Sequence, residues 1–212
     1  MRKLISLTLF FAILVGVDIG AKSVAEDQIK SRAQQEAPPG SEAGASISSF
    51  PFLGRLLLLG TVRETTIELR NVSEGTIVFA RVGLTLRGVE IDRGRLFSAQ
   101  EAEIVDIASG TVAIEVTQEA LSERLNVPIV VGGGAVRATV GGTEIAAVPS
   151  VDDDVLTLTL GSLPPLRVRI PTTNYAPCVG DVTALAGRLR FTCTINDVPP
   201  AFLGAANRAA NR

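Results

Sequence analysis

The chain has 212 residues, a net charge of −2, no histidine, no tryptophan and a single tyrosine. That balance excludes a clustered basic footprint for nucleic acid, and the missing histidine excludes Ser-His-Asp and Cys-His catalysis within this chain. Hydrophobic residues make up 46% but aromatic residues only 4%, so one domain of ordinary size must build its interior from Val, Leu, Ile and Ala.

Residues 1–20 read as a signal or membrane-anchor segment. Met1-Arg2-Lys3 supplies a positive start, and Leu4 to Val17 is an almost unbroken apolar run closed by Asp18. Fourteen helical residues reach about 21 Å against a hydrocarbon core of roughly 30 Å, a gap that Ile19, Gly20 and Ala21 nearly close. The favoured reading is an uncleaved anchor with Arg2 and Lys3 on the cytoplasmic side. Cleavage after Ala25, in Ser23-Val24-Ala25, is the alternative. Either route places the remaining chain outside the cytoplasm, anchored to the membrane or secreted to the periplasm or cell envelope.

Residues 21–40 form a helix and linker. Ala21, Val24, Ala25, Ile29 and Ala33 lie on one narrow stripe, so this helix continues the anchor helix until Pro38-Pro39-Gly40 stops it. Residues 41–197 are the β-rich domain. A short strand at 45–49 ends at Phe50-Pro51, and the leucine-dense stretch from Phe52 to Leu59 is a short helix or turn set against the sheet. Strands are expected near 61–69, 76–88, 98–107 and 111–116, with turns at Ser73-Glu74-Gly75 and Asp92-Arg93-Gly94. The Thr117 hydroxyl caps a helix that buries Ala120, Leu121 and Leu125 and ends at Asn126 and Pro128. Four strands follow near 128–131, 135–140, 143–149 and 155–160, divided by Gly132-Gly133-Gly134, Gly141-Gly142 and Asp152-Asp153-Asp154. A strand at 166–170 and a hairpin over 178–195 complete the sheet. Residues 198–212 read as a disordered tail.

Alternation of apolar and polar residues marks these strands, because successive side chains point to opposite faces. It runs through Arg167-Val168-Arg169-Ile170 and Arg188-Leu189-Arg190-Phe191, through Val78, Ala80, Val82, Leu84 and Leu86, through Val112, Ile114 and Val116, and through Leu156, Leu158 and Leu160. About ten strands with hairpin-length connections and two or three helices give an α+β fold, predominantly antiparallel β, curved around a helix or closed on itself. A β-protein with a wide aliphatic face and little reactive equipment is suited to holding something apolar.

If Ala184 to Gly187 form a four-residue loop, Thr183 faces Arg188 and Cys178 lies directly opposite Cys193, within disulfide reach. An oxidising compartment and the absence of other cysteines favour that bridge over a metal pair or redox dithiol, which lack supporting ligands and CxxC spacing. Closing a loop of about 15 residues contributes roughly 3 kcal/mol on chain-entropy grounds. The triple glycine lacks the Lys and Ser/Thr of a phosphate loop, and the triple aspartate lacks the spaced ligands of a calcium site, so both read as turns. Glu101 and Glu103 read as a wet strand face, and no acid pair stands out for glycoside chemistry. Arg167, Arg169, Arg188 and Arg190 suit either a solvated sheet face or anionic headgroups. Neither a metal nor a cofactor is called for.

Four stretches carry a family resemblance. They are Val17-Asp18 running into Ala25-Glu26-Asp27-Gln28-Ile29, then Ser49-Phe50-Pro51-Phe52-Leu53, the segment from Val112 to Leu121, and the Pro177-Cys178 hairpin ending near Cys193. In order and spacing the chain resembles the actinobacterial lipomannan elongation factor A (LmeA-like) phospholipid-binding proteins. The resemblance implies a tubular lipid-binding (BPI/TULIP-like) architecture, a phospholipid and the membrane as partners, a part in cell-envelope lipoglycan maturation, and no catalytic residues. Phe50, Phe52, Leu53, Leu56 and Leu57 are then candidates for the acyl-chain lining or its mouth, ordinary core being the alternative for each. A structural or interaction module of the cell envelope without a lipid ligand is the alternative for the whole chain.

Overall fold

The computed structural model describes residues 2–74, 77–99, 101–152, 155–161, 164–169, 179–196, 198, 200, 203–204 and 207. Side chains are described from Leu14 onward, apart from those of Glu74, Ile77, Asp152, Leu166, Val168, Arg169 and Val179. Helix α1 (Arg2–Glu36) is continuous, so the apolar run and the amphipathic segment after it form one rod. The strands β1 (Glu42–Ile47), β2 (Thr61–Glu74), β3 (Ile77–Ile91), β4 (Ile104–Thr117), β5 (Ile129–Gly132), β6 (Ala135–Val140), β7 (Thr143–Asp152), β8 (Val155–Thr159), β9 (Leu166–Arg169), β10 (Val179–Leu185) and β11 (Arg188–Ile195) divide between two sheets rather than one. The larger has the order β1-β2-β3-β4-β11-β10, and the smaller is a meander from β5 to β9. Every pairing is antiparallel.

Turn chemistry sets much of this. Gly133-Gly134 and Gly141-Gly142 all have left-handed φ, which gives the tight turns that join β5 to β6 and β6 to β7. Between the sheets, helix α4 (Gln118–Leu125) begins at Thr117, whose hydroxyl accepts a hydrogen bond from the Ala120 N–H, and ends at Asn126 in the left-handed conformation. In its first turn the Glu119 carboxyl is held below the ordinary carboxylate range, chiefly by a hydrogen bond from its own backbone N–H.

The structure corrects three expectations. The strand expected near 98–107 starts only at Ile104 and runs on without a break through Thr117, while Ser98 ends helix α3 (Arg93–Ser98), which is started by the Asp92 side chain accepting from the Arg95 N–H. The β10–β11 turn takes two residues, not four: Leu185 faces Arg188 around Ala186 and Gly187, the latter at φ 71°. The tighter turn moves the register so that Cys193 faces Gly180 rather than Cys178. Cys178 itself lies outside the described residues, and among these no cysteine is free. The alternation in β3 also breaks. A register shift between Phe79 and Arg81 turns Phe79 inward, to 1% exposure, and leaves Val78 in solvent.

A second break lies at Gly88. Val62, Val89 and Ile107 face inward at one level and Thr65, Leu86 and Gly110 at the next, three residues along each strand rather than two, so the facing changes at Arg63, Gly88 and Ala108 while the pairing stays in register. Gly88 has φ 61°, and a Cβ there would stand 2.8 Å from the Ala108 Cβ. Replacing Gly88 with valine is therefore expected to cost about 2–4 kcal/mol from backbone strain and overpacking together. Thermal unfolding measures that cost, and combining Gly88→Ala with Ala108→Gly should recover the overpacking part; equal losses with and without Ala108→Gly would refute the crowding.

One inward face of the larger sheet is thus apolar from end to end, and two cores form on it. The upper core gathers Val72, Phe79, Ile114, Val116, Leu189 and Phe191 beneath α4 and the smaller sheet, which contribute Leu121, Val136, Leu156 and Leu158 among others. The lower core gathers Ile47, Val62, Leu86, Val89, Ile107 and Ile195 beneath Phe52 and the Ala21, Ala25 and Ile29 stripe of α1. From the tail expected to fray, Val198 and Leu203 join the lower core, and the Asn207 amide pairs with both the N–H and the C=O of Ile104, at 2.6 and 2.8 Å.

Candidate functional site

Between the two cores runs a seam. Ala45, Ile67, Leu84, Val112, Cys193 and Gly180 face one another in sequence across all six strands of the larger sheet. Each is half-buried, whereas the rows on either side contain fully buried residues. Five strand spacings of about 4.8 Å make the seam roughly 24 Å long. Ile67 belongs to neither core. A continuous strip of aliphatic and small side chains, unbroken by charge and incompletely covered, can take a long flexible apolar ligand and little else.

The opposite face is polar. Glu68 lies between Arg70 and Arg81, and its carboxyl sits below the ordinary range: partial burial opposes the charge, but the hydrogen bonds and charges of the two arginines outweigh it. Farther across, Glu115 is buried and accepts from Arg188 at 2.9 Å and from the Arg190 Nε at 2.9 Å. Arg188 and Arg190 therefore neutralise a buried carboxylate on the face turned away from the seam. Arg167 is exposed on β9, and the Arg169 side chain lies outside the described ones. A polar cavity of about 290 Å³, lined by Glu42, Thr66, Glu68 and Arg70 among others, also opens on this outer face.

The five residues singled out in the sequence lie on one short element, α2 (Phe52–Gly54) continued by a π-turn (Arg55–Leu59), with Phe50 just ahead of it. They do not share one environment. Phe52 is buried in the lower core, Leu53 and Leu56 pack at its edge, and Leu57 and Phe50 are exposed. What holds this element is Asp18, which in the sequence marks only the end of an apolar run. Its carboxylate, 6% exposed, accepts from the Phe52 N–H at 2.9 Å and the Leu53 N–H at 2.6 Å. Those are orphan donors at the start of a helical turn, where a carboxylate is most favourable.

Two further side chains of α1 treat β1 in the same way. Glu26 accepts from the Ile47 N–H at 2.6 Å, and Gln34 accepts from the Ala43 N–H at 2.7 Å while donating to the Ser41 carbonyl. The eight steps from Glu26 to Gln34 along the helix rise about 12 Å, and the four steps from Ala43 to Ile47 along the strand span about 13 Å. The matching repeats let α1 lie along β1 as an added edge.

A family model for LmeA-like phospholipid-binding proteins matches residues 16–210, which takes in the Asp18 pin, both cores and the whole seam. The chain belongs to that family. No curated protein and no solved structure matches it.

Proposed function

We propose that this LmeA-like protein is an extracytoplasmic phospholipid carrier, held at the cell membrane by the N-terminal part of α1, that shelters acyl chains along the seam of its larger sheet. The observation that carries the reading is the row from Ala45 to Gly180, half-buried between two closed cores. Each methylene moved from water onto such a surface gains about 0.8 kcal/mol. Binding is then strong and poorly selective among chains, with the headgroup left in water. The role is binding rather than catalysis, in keeping with a chain that has no histidine and a seam of aliphatic and small side chains that carries no charge.

A retained anchor is favoured over cleavage by Asp18. Among the described residues, no helix is long and apolar enough to cross a membrane, the side chains of residues 2–13 standing outside that set. Cleavage after Ala25 would remove Asp18 and leave the Phe52 and Leu53 N–H groups without their acceptor. The same reading includes a Cys178–Cys193 bridge, a tubular enclosure of the lipid, and service to cell-envelope lipid or lipoglycan maturation.

Native mass spectrometry of the full chain purified without detergent tests the central claim. A phospholipid-sized adduct is expected, together with uptake from vesicles once the protein has been stripped of lipid. If no phospholipid co-purifies and none is taken up, the carrier reading is wrong.

A further inference from the structure

The apolar surface of the molecule is not confined to the seam. Phe50, Leu58, Leu59 and Phe97 are 68%, 73%, 61% and 63% exposed. The structure gathers them at one end. Leu58 and Leu59 close the π-turn, and the Leu58 carbonyl accepts from Arg93 of α3. Phe97 lies four residues after Arg93, on the same side of that helix. Gly60 ties the end of the turn to β3, its carbonyl accepting from the Ile91 N–H at 2.7 Å. Several large apolar side chains left in water on linked elements mark an interaction surface rather than chance exposure.

What covers this surface follows from α1. Asp18 fastens the start of the turn to the helix between Val17 and Ile19, both exposed and both at the end of the apolar run that begins at Leu4. The exposed tip and the apolar half of α1 are therefore neighbours held by two short hydrogen bonds. Cations stand around the tip, as an interfacial element needs. Arg93, on α3, donates to the Leu58 carbonyl, Arg95 beside it is paired with Glu103, and the Nε–H of Arg55 is buried with no acceptor among the described residues.

We propose that the turn from Phe50 to Leu59, together with Phe97, is a docking tip that inserts into the headgroup region of a phospholipid bilayer beside the N-terminal part of α1. The inference rests on the phospholipid-binding reading for its occupant but makes a separate demand, that this end of the molecule enters the membrane. Because the chain has no tryptophan, Leu58→Trp gives a single reporter. Val148→Trp, at an exposed position on β7 of the smaller sheet, is the control.

Each full-length variant is mixed with phosphatidylcholine–phosphatidylglycerol vesicles carrying brominated acyl chains. Indole emission from the Leu58→Trp protein should shift to the blue and be quenched, and that from the Val148→Trp protein should not change. If the tip reporter is quenched no more than the control, or if the chain fails to bind vesicles, the tip does not dock. The phospholipid content of the same preparations reports on the carrier reading independently. A lipid-loaded protein with an unquenched tip reporter refutes the tip alone, and a lipid-free protein with a quenched one refutes the carrier alone. Changing Leu58, Leu59 and Phe97 together to serine should slow lipid transfer between vesicles at least about tenfold with bound lipid unchanged; unaltered transfer would overturn the proposal.

Discussion

Phospholipid uptake is expected to fall about a hundredfold or more when Ile67 is replaced by aspartate, with little change in thermal stability. Ile67 is the large aliphatic seam residue that belongs to neither core, so its side chain contributes little to folding and most to whatever lies against it. A carboxylate there would have to lose its water against an acyl chain, at a cost of several kcal/mol. Unliganded, the same carboxylate keeps its hydration because the position is only half-buried. Uptake from vesicles and the melting temperature, measured on one preparation, separate the two effects. Full uptake by a folded Ile67→Asp protein would remove the seam from the binding site, and lost uptake with a collapsed melting temperature would show that Ile67 is ordinary core.

The largest loss of stability is expected from Phe79→Ala. Phe79 lies inside the upper core, opposite Val72 on one side and Val116 on the other, and the core residues around it include Leu121 and Leu189, both 0% exposed. Deleting a buried phenyl ring typically costs about 3–5 kcal/mol, because the surroundings only partly collapse into the space. For a chain of this size that lowers the melting temperature by roughly 6–20 °C. Val78→Ala, at the exposed neighbouring position, should change it by no more than about 2 °C. Similar losses for the two variants would show that the register shift after Phe79 is misplaced.

That pair of neighbours also shows how far the sequence can be read. Whatever is decided within a few residues is legible. The Thr117 cap, the Asn126 end of α4 and the paired-glycine turns of the meander depend on local backbone chemistry, and the structure has them where they are expected. Alternation identifies the strands but not their facing, because a period of two holds only while the register is unbroken. The shift at Phe79 and the left-handed backbone at Gly88, level with Arg63 and Ala108, turn the face over within a strand. A strict alternation therefore groups Val78 and Ala80 with Val82, when Phe79 is the inward residue. The Cys193 register goes astray for a related reason: a two-residue turn and a four-residue loop leave the same alternation behind.

The candidate site is less legible than the fold. Leucine density picks out the segment from Phe52 to Leu59, but a single helical turn sends its side chains in every direction, so composition cannot separate the buried Phe52 from the exposed Leu58. The seam is invisible in the sequence because its residues come from six strands and resemble ordinary core in each. Asp18 needs a contact 34 residues away. Nothing in an apolar run says that the carboxylate closing it will be used to hold a turn.

The way α1 lies along β1 bears on what the protein does in a crowded compartment. An outermost strand with free N–H groups is a template on which any extended chain can add as the next strand. Glu26 and Gln34 occupy the donors of Ile47 and Ala43 with groups that a strand cannot easily displace. A helix offers no further row of donors and acceptors, so sheet growth stops at α1. The part of α1 that follows the apolar run thus also serves as a guard against polymerisation, and a form of the protein without Glu26 and Gln34 would acquire a sticky edge along its side.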